Sequence, residues 1–97
     1  MSSHERTKQF LSGTFHEDWN LEHRSFEEAV AQYSSGQSAA EERVEVARHL
    51  ERLLEVHDER SLRAVLFHAY GCYYDPGPEA GAMQRWLRAI VKLLRRG

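Results

Sequence analysis

The chain has one cysteine, Cys72, among its 97 residues. No intrachain disulfide can form, so stability must come from a packed core, and a reducing compartment is expected. There are two prolines, Pro76 and Pro78, both inside one short stretch; the rest of the chain is free of the strongest helix breaker. No apolar run approaches the ~18 residues that a membrane helix needs. The N-terminal MSSHERTKQF carries no apolar segment of the secretory kind. Secretion and membrane spanning are therefore not expected. Strand signals are also missing, because no stretch alternates apolar and polar residues between hairpin turns. Neither H-E-x-x-H nor C-x-x-C occurs, and GPEAG over 77–81 lacks the GK[ST] ending of a phosphate loop. No metal or other cofactor is expected.

What is present is helix. Apolar residues make up 41% of the chain, enough for one globular core. The stretch over 15–30, FHEDWNLEHRSFEEAV, is the expected anchor. It sets Phe15, Trp19, Leu21, Phe26, Ala29 and Val30 among Glu17, Asp18, Glu22, Glu27 and Glu28. Aromatics of this size are too costly to leave in water, whereas the acids must stay wet or meet a cation. A first helix is expected over about 5–12, ending near Gly13, with residues 1–4 frayed. Ser25 and Glu28 form the S-x-x-E capping box of a helix over 25–35. A linker over 36–38 leads to a helix over about 39–57, with Ser38 as its cap. Leu50 and Leu54 lie on its apolar side, and acids crowd the other. Asp58 caps a helix over 59–70 that buries Leu66 and Tyr70 and stops at Gly71. After the proline turn, Met83, Trp86, Leu87, Ile90 and Leu94 form the apolar stripe of a last helix over about 82–95. The expected architecture is an all-α bundle of about four main helices plus short helical turns, one domain over 1–97. Its core is Phe15, Trp19, Phe26, Val30, Leu50, Leu54, Leu66, Tyr70, Trp86, Leu87 and Ile90.

Candidate chemistry is sparse. The six histidines have no metal-ligand spacing and are read as capping, surface or core-edge residues. Cys72 follows a helix-ending glycine, at the negative end of a helix dipole, where a thiol is disfavoured as a thiolate nucleophile. No catalytic constellation is expected. The net charge of −2 conceals an asymmetry. Residues 1–59 carry 13 Asp/Glu against 6 Lys/Arg, and residues 60–97 carry 2 against 7. Such polarity can steer a charged partner. The last helix offers Arg85, Arg88, Lys92, Arg95 and Arg96. An alternative reading is thus a small helical nucleic-acid-binding or regulatory module using that basic helix, against which the acidic first half argues.

Three blocks, in order and spacing, carry a resemblance. They are F-H-E-D-W from Phe15 to Trp19, S-x-E-E-A-V from Ser25 to Val30, and G-C-Y-Y-D-P from Gly71 to Pro76, the last followed by Trp86, Leu87 and Ile90. Together they resemble a small all-helical family of contact-dependent growth inhibition immunity proteins, over roughly residues 10–95. The resemblance implies a cytoplasmic, non-enzymatic protein that binds the C-terminal toxin domain of a large cell-surface effector. Members often place a capping serine before the last helix; here Gly81 is followed by Ala82. Many such toxins are nucleases with basic substrate grooves, so an acidic face is the expected partner-binding surface. Glu17, Asp18, Glu22, Glu41, Glu42 and Glu45 are its candidate residues.

Overall fold

The structure is a computed structural model that describes residues 2–35 and 40–96. The linker over 36–38 and the Ser38 cap lie outside the described residues. Six α-helices and one π-helical turn follow each other, and the described residues contain no strand. They are α1 (Ser3–Thr14), α2 (Trp19–Glu22), α3 (Phe26–Ser35), α4 (Ala40–Val56), α5 (Glu59–Ala64), continued by a π turn (Val65–Ala69), and α6 (Ala82–Arg96).

Local chemistry explains most of these ends. The Ser25 hydroxyl accepts from the Glu28 N–H at 3.2 Å and starts α3. The Asp58 carboxylate accepts from the Ser61 N–H at 2.8 Å and starts α5. The Ser2 hydroxyl accepts from the Glu5 N–H at 3.1 Å, so α1 begins at Ser3 rather than near residue 5. Ser2 thus caps the helix, and His4, in its first turn, contacts Tyr70. At the other end, α1 runs through Gly13 to Thr14.

The helix expected to continue unbroken from 59 to Tyr70 changes register at Val65. Its last hydrogen bond runs from the Tyr70 N–H to the Val65 carbonyl, five residues back. A wider turn lets residues four apart drift less around the axis. Leu62, Leu66 and Tyr70 accordingly all point inward.

α6 packs along α4 and also against α3 and α5, while α1 lies across α4. Met83, Trp86, Leu87, Ile90, Val91 and Leu94 on α6 close over Val46, Ala47, Leu50 and Leu53 on α4. Phe15 is fully buried at the hub of an aromatic cluster. Its ring centroid lies 5.1 Å from Trp86, 5.7 Å from Trp19 and 5.7 Å from Tyr74. Tyr74 stacks on Trp86 at 4.5 Å. Val30, Leu50, Leu66, Tyr70, Trp86, Leu87 and Ile90 are buried with Phe15, and Trp19, Phe26 and Leu54 pack half-buried against them.

Leu21 departs from the expected anchor: it is 81% exposed. α2 is a single turn with Trp19 facing the core. Two residues further on, a side chain has rotated by about 200°, which points it away.

The missing capping serine of α6 is replaced from a distance. Glu59, at the start of α5, accepts the Met83 N–H and the Gln84 N–H, each at 2.9 Å. Those are two of the four amides that a helix start leaves unpaired. Arg63 completes the brace. Its Nε donates to Glu59 at 2.8 Å, its Nη1 donates to Asp75 at 3.3 Å, and its Nη2 donates to the Gly77 carbonyl. One carboxylate and one guanidinium thereby tie the irregular crossing over 71–81 to both helices that flank it.

Candidate functional site

The six candidate acids do not form one cluster. Glu17, Asp18 and Glu22 belong to the tight turn that leaves α1, and all three are exposed. His16 organises that turn. Its Nδ1 accepts the Asp18 N–H at 3.1 Å, which leaves Nε2 to donate to Glu22 at 2.5 Å. Backbone bonds from Trp19 to His16 and from Leu21 to Asp18 tighten it further. The Trp19 ring anchors it among Phe15 and Tyr74. The turn therefore presents the exposed Leu21 with acids beside it, on a rigid base. The crossing segment lies alongside, its Tyr73 N–H donating to the Phe15 carbonyl at 2.8 Å. Tyr73 is itself 60% exposed.

Glu41, Glu42 and Glu45 form the second patch, on the first turns of α4. Glu45 pairs with Arg6 of α1 at 3.1 Å. Among the described residues no cation pairs with Glu41 or Glu42. Arg6 is near the start of α1, whereas the first patch follows its end. Eight residues at 1.5 Å each, roughly 12 Å of helix, separate Arg6 from Thr14.

The basic face of α6 is interrupted. Arg95 donates to Glu51 of α4, and Arg85 pairs with Glu79 at 3.2 Å. Between α4 and α6 a groove has Leu54 and Val91 together with Glu51, Glu55, Arg88 and Lys92. Cations and acids face each other across it, unlike the continuous stripe that follows a phosphate backbone.

The nucleophile and metal candidates are absorbed by the fold. Cys72 is buried, and burial pushes its thiol up to about 12 against a smaller opposing contribution from the Tyr74 backbone. The direction agrees with the dipole argument, but burial is the larger cause. His16 braces a turn, and His23 lies 3.8 Å from Glu28. Among the described residues no group of three or more His, Cys, Asp or Glu is placed to hold a metal. No described helix is long and apolar enough to cross a membrane.

Two arrangements had no legible signal in the sequence. One is the Glu59 cap, whose partners are 24 and 25 residues away. The other is a trio in which the Tyr70 hydroxyl lies between His4, 3.0 Å away, and His49, 2.8 Å away. Only the apolar placement of Tyr70 hinted at a buried phenol in need of partners.

A closed aromatic core, with charges and two exposed apolar side chains on tightly braced turns, is the makeup of a small all-α binding domain. The family described as CdiI immunity protein matches residues 3–94, and the chain belongs to that family. Comparisons with curated proteins and with solved structures find no match. Membership makes this a toxin-neutralising immunity protein of a contact-dependent growth inhibition system.

Proposed function

We propose that this protein acts in the cytoplasm by docking on the C-terminal toxin domain of a cell-surface effector, that the toxin is a nuclease, and that acids on this chain occupy its cationic substrate groove. Family membership over residues 3–94 carries the reading. The supporting feature is the pair of acidic patches, Glu17, Asp18 and Glu22 on the α1–α2 turn, and Glu41, Glu42 and Glu45 on α4. Opposite charge across an interface raises the association rate and rejects wrong partners. Leu21 supplies what charge alone does not: an exposed apolar side chain on a braced turn, of the kind that a partner can desolvate inside a polar rim. Inhibition is by binding, with no chemical step on this chain.

The test is calorimetric titration of the protein into the toxin domain encoded beside it, together with a nuclease assay of that domain. The reading expects nanomolar binding, weakening as salt is raised, and loss of nucleic-acid cleavage at one equivalent. A toxin domain that binds but cleaves no nucleic acid would refute the nuclease assignment while leaving the inhibitor in place.

A further inference from the structure

The start of α1 is tied to α4 by three side chains that share one hydroxyl. Tyr70 is 3% exposed, and its oxygen faces Nδ1 of His4 and Nε2 of His49. A phenol has one hydrogen to donate and lone pairs to accept with. Burial raises the Tyr70 hydroxyl, so it remains O–H. The trio closes when one imidazole donates to the oxygen and the oxygen donates to the other. A proton added to His4, the more exposed ring, keeps that arrangement. His4 Nδ1–H donates to Tyr70, and Tyr70 donates to the bare Nε2 of His49. A second proton, on His49, breaks it. Both rings then donate to the phenol oxygen, the phenol hydrogen loses its acceptor, and two positive rings stand with centroids 6.1 Å apart.

We propose that His4, Tyr70 and His49 form a one-proton clasp, which ties the start of α1 to α4 in its neutral and singly protonated forms and loosens that end of the helix when both imidazoles are charged. The surroundings resist the second proton. Arg52 and Arg48, on α4, line the groove beside His49 together with Glu45, Glu51 and Glu55. Two of those three acids are already engaged, Glu45 by Arg6 of α1 and Glu51 by Arg95 of α6. His68, on the π turn, is exposed. Burial first, then His4, then Arg52 hold the His49 imidazole below its ordinary value of 6.5. A base depressed in the folded state contributes stability that is complete above the ordinary histidine range and is lost as pH falls through the depressed value. The clasp is independent of how the toxin is bound.

The full chain can be tested by thermal melting at pH 7.5 and 5.0, and by following the imidazole proton resonances through the same range. The wild type is expected to lose several degrees of Tm, on the order expected for about one unmade buried bond in a small domain. His49→Gln keeps an acceptor for the phenol and removes the titration, so it should lose less than half as much. His4→Gln removes the competing charge, so the resonance of His49 should titrate at a higher pH than in the wild type. This second variant serves if the first fails to fold. Equal Tm losses in wild type and His49→Gln, or a His49 titration unmoved by His4→Gln, would overturn the clasp.

Discussion

Glu59 does the work of the capping serine that the α6 start lacks. Gly81 stands at that position with φ +74° and no side chain to accept a bond. Burial disfavours the Glu59 carboxylate, but the Met83 and Gln84 amides and the Arg63 guanidinium outweigh it and hold its pKa below the ordinary carboxyl value. Glu59→Ala should therefore lower stability by about 2 kcal/mol, from a lost cap and a lost charged hydrogen bond. Chemical denaturation at pH 7 would measure it. The pH sign follows. A depressed carboxyl contributes stability present above its unfolded value and lost as pH falls through its folded one. Below about pH 4.5 the wild type should thus lose this part of its advantage over Glu59→Gln. Trp86 and Trp19 give a second contrast. Trp86 is buried and stacked, and Trp86→Ala should cost about 3–5 kcal/mol; half-buried Trp19→Ala should cost less. Equal losses at the two positions would contradict the burial difference. Leu50, Leu87 and Ile90 were legible from their periodic helical stripes, and Phe15 from its size alone, since it ends α1 outside any stripe. The Glu59 cap and the His4–Tyr70–His49 trio were not, because nothing local marks a bond across 24 or 66 residues.

Helix starts and helix faces could be read where side chains cap their own helix, as at Ser25 and Asp58. Two details differed: the Ser2 cap starts α1 two residues earlier than expected, and the helix below Tyr70 widens to a π turn. α2 shows the limit most clearly. Trp19 and Leu21 look like two members of one apolar anchor, yet a single helical turn places them on opposite sides. The candidate acids show it too. Neighbours in composition fall on two patches, because α1 stands between them. The two patches can be tested apart. Glu41→Lys with Glu42→Lys changes charge without breaking the Arg6–Glu45 pair. Glu17→Lys with Asp18→Lys leaves His16–Glu22 in place. If the patches steer association, each double reversal should slow it, by about tenfold or more at low salt for the one nearest the groove. Stopped-flow association with the toxin domain measures both. Unchanged rates for both pairs would remove the acids from the interface.

At the scale of the molecule, the strong polarity between residues 1–59 and 60–97 is only partly kept. Arg95–Glu51 joins the two halves across α4 and α6, while Arg6–Glu45 and Arg85–Glu79 pair opposite charges within their own halves. What survives is uneven: exposed acids at the turn and exposed Glu41 at the head of α4, and a cationic α6 broken by carboxylates. An inhibitor that meets a basic groove needs the first and is not helped by the second. The proposed neutralisation of the toxin through an electrostatically steered surface rests on those exposed acids. The measurement that tests it most directly is calorimetry with the toxin domain encoded beside it, at low and at high salt. A one-to-one complex of nanomolar affinity that weakens as salt rises is expected. Absence of binding to that domain would contradict it, and tight binding indifferent to salt would move the interface from the acids to the apolar residues around Leu21 and Tyr73.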